Sequence, residues 1–385
     1  IVPLFLALFY KPIAYLCGRF LNNKSKRENY FMKHISNFLR SKSWNVFLFL
    51  YLALPLFAQK EYKIDQVSVV NVGDGRLLFQ ELKTEKALNG EHRIIDGYHS
   101  AYVLASFKDG FYDGGYKEYV DNILITEGSY KEGRKDGLFK INSKFDGKLK
   151  EEKSYKEGKL DGTSKSYFTT GKVESDGTLR KEHNYKDGKQ VGKQYTFLKG
   201  TYDLYETVYF NEEGLQDGEY SSVFTFGSPR ILGSYKNGKK NGRWTTFAES
   251  GDTLMIETYL DGKEDGLHVS FANGSGVRQK EYYMKNDRKD GLYREYNLEN
   301  GELRYEATYQ AGRLHGKERR LIVSNRFDYW ETSTYVNGRQ NGPFEARYVK
   351  NDQLRECGEY KNGRRVGRWK RYTIDGKLEK EWDEN

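Results

Sequence analysis

Residues Tyr130–Gly137 read YKEGRKDG, and this eight-residue stretch decides the fold because its pattern returns throughout the chain. The pattern can be written Tyr/Phe-x-x-Gly-x-x-x-Gly. Including two divergent copies, it occurs eleven times, with the first glycine at 110, 133, 158, 188, 214, 238, 262, 287 (an aspartate), 312, 338 and 363. Successive copies are 23 to 30 residues apart. A nearly constant period of this length indicates a tandem-repeat architecture.

Each copy is predicted to form one β-hairpin. The Asn-Gly, Asp-Gly or Glu-Gly pair at the first glycine is typical of a tight turn, because glycine adopts positive φ at little cost. The second glycine is expected to begin a strand, and an aromatic residue follows it by two places in seven copies and by five places in seven. Positions two and five do not fit the two-residue period of a regular strand. We therefore predict a bulge or a twist near the second glycine.

The predicted fold class is all-β: an elongated, single-layer antiparallel β-meander built from about eleven tandem hairpin repeats. Successive hairpins would pair edge to edge, so that each repeat contacts only its neighbours. We expect the aromatic side chains to line one face and charged side chains to cover the other face and the edges. The composition is 15% aromatic, which excludes a disordered chain, because such chains are poor in aromatic residues.

The beginning of the chain is predicted to be a targeting region. Residues 1–31 are interpreted as an upstream or non-native extension, because Met32 opens a stretch with the features of a signal peptide. In residues 32–58, basic residues precede the apolar run Val46–Phe57, and Ala58 suits a cleavage site. We therefore expect export to the periplasm, the outer membrane or the exterior. If the signal is not cleaved, it would be an N-terminal membrane anchor.

The rest of the chain is predicted to divide into a cap and an array. Residues 59–106 are expected to form an N-terminal β cap with short strands and a degenerate repeat around Asn89-Gly90. Residues 107–385 are expected to form the repeat array. Terminal repeats are often atypical because one side faces water, and a capping role for residues 59–106 agrees with that.

The repeating unit, followed by Trp, Phe or Tyr, resembles the MORN repeat, in the bacterial variant of proteins labelled YwqK-type antitoxins. The resemblance covers about Phe107 to Trp382. It implies a curved single-layer β-meander that contacts proteins or lipids and needs no cofactor. The antitoxin label implies neutralisation of a partner by binding it.

Composition and motifs argue against several classes of function. Residues 1–58 carry seven of the nine net positive charges, and the remaining charges are finely mixed, so we expect no nucleic-acid binding. The six histidines lack metal-ligand spacing, and no nucleophile elbow or phosphate loop is present. We expect no catalytic residue, cofactor, metal ion or small-molecule substrate, since an open sheet lacks a deep pocket.

These observations favour an exported, non-enzymatic repeat protein that acts as a protein-binding scaffold or an antitoxin-like partner-binding module. Aromatic residues and arginine dominate interface energetics, and the same rings could instead simply cover the sheet. A second hypothesis is attachment to a membrane surface or a glycan through an aromatic and basic face, and a third is a hydrolase with paired carboxylates. The rings expected to be most exposed to a partner are Trp244, Tyr293, Tyr296, Phe344 and Trp369.

Overall fold

A computed structural model describes residues 60–169, 175–201 and 203–384 of the chain. The predicted extension at residues 1–31 and the predicted signal peptide at residues 32–58 lie outside the described residues.

The structure contains two units, and the smaller one is represented by few described residues. The units are Ile1–Tyr62 with Glu91–Arg93, and Lys63–Gly90 with Ile94–Asn385. In the smaller unit, Arg93 Nη1 donates a hydrogen bond to Glu61 Oε2 over 3.3 Å. The rings of Tyr62 and His92 meet edge to face, with centroids 5.4 Å apart.

The described residues are mainly β-strand, with one short 3-10 helix at Ile64–Gln66. The first four strands are β1 Lys60–Lys63, β2 Val67–Asn71, β3 Leu77–Glu81 and β4 Gly90–Asp96. The strands of the repeats are β5 Ala101–Lys108, β6 Phe111–Val120, β7 Ile123–Lys131, β8 Arg134–Lys135, β9 Gly137–Asn142, β10 Leu149–Lys156, β11 Lys159–Thr169, β12 Ser175–Lys186, β13 Lys189–Gln190, β14 Gly192–Phe197, β15 Leu204–Phe210, β16 Gln216–Val223, β17 Pro229–Lys236, β18 Lys239–Lys240, β19 Gly242–Phe247, β20 Thr253–Leu260, β21 Lys263–Glu264, β22 Gly266–Phe271, β23 Arg278–Lys285, β24 Arg288–Tyr296, β25 Leu303–Gln310, β26 Arg313–Ile322, β27 Tyr329–Val336, β28 Arg339–Tyr348, β29 Leu354–Lys361, β30 Arg364–Tyr372 and β31 Leu378–Glu384.

From β5 to β31 the strands form one antiparallel meander, in which strands pair with their neighbours in sequence. A two-residue strand and the strand after it form one interrupted arm; β17, for example, pairs with both β18 and β19. The predicted all-β meander of hairpin repeats is therefore confirmed.

Strands β2 and β3 pair as a separate two-stranded sheet that packs against the first copies. The Phe79 ring lies 5.3 Å from the Phe107 ring and 4.6 Å from the Tyr112 ring, measured between centroids. At the hairpin turn, Arg134 Nη2 donates to Asp74 Oδ2 over 3.2 Å. These contacts place β2 and β3 against the first copies, and the capping role of residues 59–106 stays a prediction.

The residue pair at the first glycine forms the hairpin turn, as predicted. In ten copies two successive residues have positive φ, for example 49° at Asn237 and 79° at Gly238. Two positive φ values are the signature of a type I′ turn, whose twist suits a hairpin. The copy without the glycine keeps this backbone, with φ of 48° at Asn286 and 62° at Asp287. The turn therefore selects for glycine, and aspartate substitutes for it in one copy.

Replacing Gly238 with valine should destabilise this turn, because a left-handed backbone costs an L-residue about 1–2 kcal/mol and a β-branched one more. The midpoint of urea denaturation should fall. The matched control is Gly238→Asp, which copies the natural Asn286-Asp287 turn and should lose less stability. Equal midpoints for the two variants and the parent protein would contradict the type I′ assignment.

A β-bulge lies at the second glycine, as the sequence predicted. Along β10 and β11, Lys153 pairs with Ser164 and Tyr155 with Leu160, so three residues of β11 face Ser154. The bulge is not, however, what explains the aromatic spacing. Successive side chains of a strand alternate between faces, so residues two and five places after the glycine point to opposite faces. The expectation that all the rings line one face is wrong.

In most copies, an Asp or Asn just before the second glycine links the copy to the next one. Asp217 Oδ2 accepts a hydrogen bond from Asn237 N over 3.0 Å, and the backbone oxygen of Gln216 accepts one from Gly238 N over 2.7 Å. The other residues whose side chains accept from the next turn are Asn89, Asp113, Asp136, Asp161, Asn241, Asp265, Asp290 and Asn341. Asn89 makes the contact expected of a degenerate copy.

The core lies on one face of the sheet, which we call the core face. It carries the residue two places after each second glycine, and nine of these eleven residues are buried while Tyr116 and Tyr220 are partly buried. These residues, the core row, are Tyr116, Phe139, Ser164, Gln194, Tyr220, Trp244, His268, Tyr293, Glu318, Phe344 and Trp369. Tyrosines of the repeat pattern pack beside them; Tyr235 and Tyr259 lie 5.0 and 6.5 Å from Trp244 between centroids.

Glycine on the preceding strand makes room for the largest rings of the core row. A Cβ atom added to Gly233 would lie 2.3 Å from Trp244, and one added to Gly358 would lie 2.2 Å from Trp369. Gly128 faces Phe139 in the same way, at 2.6 Å. None of these three glycines has positive φ, so the requirement here is space, not backbone freedom.

The change Gly233→Ala should destabilise the fold by about 1–3 kcal/mol, because it overpacks the core against the Trp244 indole. Gly115→Ala is the matched control, since Gly115 is also a strand residue and an added Cβ there meets nothing within 4 Å. Urea denaturation followed by tryptophan fluorescence measures both. Equal stability of the two variants would contradict the steric argument.

Candidate binding surface

The structure buries four of the five rings that the sequence analysis expected to be exposed. Trp244, Tyr293, Phe344 and Trp369 all belong to the core row and are buried. The expectation of exposure was wrong for them because the position two places after the glycine points into the core face. Tyr296 lies on the opposite face, partly buried, and hydrogen-bonds with Glu281. A partner-binding role for these five residues stays a prediction.

Cationic side chains cover the buried rings from the solvent side. Lys240 Nζ lies 4.4 Å from the centroid of the Trp244 ring and 4.7 Å from that of Tyr259. The Arg365 guanidinium lies 4.1 Å from the Trp369 ring. Both cations stand two places after a first glycine, at the bulge. Cation–π contacts of this kind contribute about 0.5–2 kcal/mol, and they remove the rings further from any partner.

The opposite face, which we call the ladder face, carries a continuous row of side chains, one per strand. The row combines the residue three places after each second glycine with its cross-strand partners. This ladder row reads Lys117, Glu127, Lys140, Glu152, Lys165, Glu182, Tyr195, Thr207, Ser221, Leu232, Thr245, Ile256, Val269, Glu281, Arg294, Glu306, Arg319, Thr332, Glu345, Cys357, Lys370 and Glu381.

Opposite charges alternate along both ends of the ladder row, with Thr332 and Cys357 interrupting the alternation at the C-terminal end. Arg294 donates to Glu306 over 2.6 Å and to Glu281 over 3.0 Å, so one guanidinium bridges three strands. Burial alone would raise the pKa of Glu281, but the hydrogen bonds from Arg294 and Tyr296 hold it below its ordinary value. Cross-strand pairs of this kind contribute about 0.2–1 kcal/mol each. The charges therefore neutralise one another within the sheet.

The centre of the ladder row is free of charge. The seven consecutive residues of the row from Tyr195 to Val269 include no Asp, Glu, Lys, Arg or His. Apolar side chains are exposed here: Leu232 is 41% exposed, Leu267 37% and Tyr283 46%. We call these three residues, together with the partly buried Ile256 and the buried Val269 of the ladder row, the apolar patch.

The sequence analysis missed the ladder row, although the signal is visible in the sequence. A Lys or Arg stands three places after the second glycine, and a Glu stands three places before the repeat tyrosine, as in Lys140 and Glu152. The central copies break that rule with Leu232, Ile256 and Val269. Aligning the copies by register, not by glycine alone, would have found the patch.

One interruption of the aromatic core on the core face brings three small or polar residues together on neighbouring strands. Ala307, Glu318 and Ser333 are adjacent across strands, and all three are buried. Arg320 Nη2 donates to Glu318 Oε1 over 2.8 Å. Burial and the hydrogen bond to Glu318 raise the pKa of Tyr335 to about 12. Glu318 is thus a paired carboxylate in the core row, in which Ser164 and Gln194 also stand in place of rings.

A recess of about 520 Å³ opens beside this interruption, which we call the tyrosine recess. Its lining residues are Lys289, Tyr293, Glu295, Tyr296, Arg304, Tyr305, Tyr309, Arg320 and Leu321. Burial lowers the pKa of Lys289, and the neighbouring Lys280 lowers it further. The volume lies within the range of small-ligand sites, about 300–1,000 Å³.

Other kinds of site receive little support within the described part of the chain. No group of three or more His, Cys, Asp or Glu side chains there could hold a metal ion. No helix among the same residues is long and apolar enough to span a bilayer. Cys357 is partly buried in the ladder row, and burial raises its thiol pKa, which disfavours the reactive thiolate.

Glu331, next to Arg320 on the core face, should make stability depend on pH. Burial raises its pKa above the ordinary 4.5, so the ionised form costs stability once the pH exceeds that value. Glu331→Gln should therefore raise the melting temperature at pH 7, and the gain should vanish below about pH 4.5.

The matched variant is Glu281→Gln, which we expect to lower the melting temperature at pH 7. The pKa of Glu281 is lowered, so its carboxylate stabilises the fold at neutral pH. This stabilisation is lost as the pH falls from 4.5 through the lowered pKa of the folded protein. Thermal unfolding from pH 3 to 8 measures both variants. A change in melting temperature of the same sign for both variants at pH 7 would contradict the opposite pKa shifts of Glu331 and Glu281.

Comparison with known protein families locates one repeat by sequence. A model described as the MORN repeat variant matches residues 160–178. The chain contains a MORN repeat variant there. No curated protein matches the chain. The assignment to YwqK-type antitoxins is not confirmed and stays a prediction.

A solved structure titled as the crystal structure of TcdB2-TccC3-Cdc42 is similar at 11% sequence identity and a TM-score of 0.15. The similarity covers 83% of this chain, which spans 18% of the length of that chain. So low a TM-score supports no inference about fold or function.

Proposed function

We propose that this protein is a non-enzymatic binding scaffold that docks a partner protein on the apolar patch of its ladder face. The single observation that carries the proposal is the charge-free centre of the ladder row, where Leu232 and Leu267 are exposed between two charged segments. The partner we propose is a folded protein whose contact surface is apolar at its centre and charged at its margin.

The order of residues along the ladder face supports this choice of partner. Protein interfaces have apolar centres from which charge is depleted, surrounded by a polar rim. The apolar patch occupies the centre, and paired charges such as Glu281 with Arg294 begin at its border. A rim of alternating charge favours a partner of mixed charge over a uniformly anionic surface.

The core face supports such docking less well than the ladder face. Its large rings are buried beneath neighbouring tyrosines and cations, as Trp244 is beneath Lys240. Membrane or glycan attachment through these rings would need them to leave the core. Export remains part of the proposal, and it rests on the signal-like residues 32–58.

The change Leu232→Glu should reduce partner binding tenfold or more, because it places an unpaired charge at the centre of an apolar contact. The matched control is Met255→Glu, since Met255 is 39% exposed on the core face of a nearby strand. The purified mature protein and both variants would be cross-linked in lysate from the source cells, and the captured proteins quantified.

A protein that is captured by the parent and by Met255→Glu, and lost with Leu232→Glu, would support the proposal. Equal melting temperatures would show that all three proteins are folded. If Leu232→Glu lost no captured protein selectively, the proposed docking surface would be wrong.

A further inference from the structure

A charged surface separate from the ladder row runs along the hairpin turns of the last four copies. It consists of the basic residues directly after each repeat tyrosine, or after Met284 in its place, and directly after each first glycine. The strand register pairs the two positions across a turn, as Lys285 with Arg288. We call these cations the turn-edge row: Lys285, Arg288, Arg313, Arg339, Lys361 and Arg364.

The turn-edge row lies on the ladder side of the strands, and neighbouring copies bring its members together. Lys289 faces the core, with Nζ 4.0 Å from the Tyr293 ring centroid, so Arg288 before it lies on the opposite side. The next turn adjoins this position: Gly312 N donates to the backbone oxygen of Lys289 over 2.8 Å. A Cβ atom added to Gly312 would lie 3.9 Å from the Cβ atom of Arg288.

The positive charge of the row is not neutralised within the turns. All six cations are exposed, and none forms an ion pair with another described residue. The four turn segments are residues 285–290, 310–315, 336–341 and 361–366. They contain eight Lys or Arg and two carboxylates, Asp287 and Asp290. Both carboxylates accept backbone hydrogen bonds, from Glu264 N over 2.8 Å and from Ala311 N over 3.0 Å.

The corresponding turn segments of earlier copies are balanced in charge. These segments are residues 131–136, 156–161, 186–191, 211–217, 236–241 and 260–265. Together they contain eleven basic and eleven acidic residues, and some of these pair, as Lys186 does with Asp161 over 3.1 Å. Net positive charge is therefore concentrated at the turns of the last four copies.

The turn-edge row begins where the apolar patch ends. Tyr283 of the patch and Lys285 of the row are two residues apart on β23, so both lie on the ladder face. Thr308 and Thr334 occupy the position of Tyr283 in the next two copies, and an exposed carboxylate, Glu359, occupies it in the last. A partner docked on the apolar patch would therefore reach the row with an adjoining part of its chain.

The spacing of the row matches an extended polypeptide. One copy contributes two strands, so equivalent cations are about 10 Å apart at about 4.8 Å per strand. A polyproline II segment rises about 3.1 Å per residue with three residues per turn, so every third side chain lies on one side at intervals of about 9 Å. Acidic residues at every third position would thus face successive cations.

A nucleic acid matches the row less well. Its phosphates are about 3.4 Å apart along each strand of a duplex, much closer than the cations. Unpaired bases bind by stacking on aromatic rings, and the four turn segments contain no Phe, Tyr or Trp. The exposed amides of Gln310, Asn337 and Asn362 suit the peptide groups of an extended chain, which they can bind as donors and acceptors.

We propose that the turn-edge row binds an acidic segment of a partner polypeptide, extended and carrying Asp or Glu at every third residue. The choice of a polypeptide rests on the proposed function, but the row can be tested without the apolar patch. Arg313 and Arg339 at its centre can each hold a carboxylate through two parallel N–H···O bonds. Exposed ion pairs are individually weak, so binding depends on several copies acting together.

The test is binding of labelled synthetic peptides to the full chain, followed by fluorescence anisotropy. One peptide of about twelve residues carries Asp at every third position among Pro and Ser, which matches the interval of the row. The comparison peptides are an isomer with its Asp residues adjacent and a version with Asn in place of Asp. The spaced peptide should bind at least tenfold more tightly than either, and salt at about 1 M should abolish its binding by screening.

The double variant Arg313→Gln with Arg339→Gln should weaken binding of the spaced peptide tenfold or more. The matched control is Lys159→Gln with Lys189→Gln, which removes two exposed cations at the same repeat position in the balanced copies and should leave binding nearly unchanged. Equal losses in the two double variants, equal binding of the two isomers, or no binding would overturn the proposal. Tighter binding of an oligothymidylate or an acidic polysaccharide of equal charge would overturn the choice of a polypeptide.

The peptide experiment and the capture experiment separate the two surfaces. Leu232→Glu should bind the spaced peptide as the parent protein does. Intact peptide binding without selective loss of a captured protein would contradict docking on the apolar patch alone. Selective loss of a captured protein in Leu232→Glu, without peptide binding by the parent, would contradict the turn-edge row alone.

Discussion

The hydrogen bond that most turns donate to the Asp or Asn of the preceding copy is the interaction on which the rest of the sheet depends. It fixes where one hairpin stands against the next, as Asp217 does for the turn at Asn237. In a sheet, a slip of one residue would exchange the faces of every side chain in a strand. Trp244 would then point to solvent and Leu232 into the core. The separation of a core face from a ladder face therefore follows from a contact at the turn edge.

Much of the fold could be predicted from the sequence, because glycine and its neighbours carry strong backbone preferences. The period, the hairpins, the turn at Asn237-Gly238 and the bulge at the second glycine all follow from those local preferences. The exposure of Trp244, Tyr293, Phe344 and Trp369 could not be read in this way. Whether a ring is buried depends on the residues that the neighbouring strands place beside it, such as the small Gly233 beside Trp244. Identifying those residues requires the register between copies. The two candidate binding regions were missed for the same reason.

Interruptions of the core row explain why the array is not uniform. Gln194 replaces a ring and satisfies its amide by bonding with the backbone of Asn184 and Val191. His268 instead lies stacked on Tyr282, 5.3 Å between centroids, with both ring nitrogens lacking a hydrogen-bond partner. Buried polar groups without partners reduce stability. Stability is thus expected to vary from copy to copy, in an array whose repeats each depend on their neighbours.

The alternation of charge along the ladder row constrains how such a protein can change in length. Most charged copies contribute one basic and one acidic side chain, as Lys140 and Glu152 do on neighbouring strands. Duplication or loss of a whole copy keeps every Lys beside a Glu, whereas loss of a single strand would bring like charges together. We therefore expect the array to tolerate changes in length in steps of about one hairpin, and shorter insertions only in the loops.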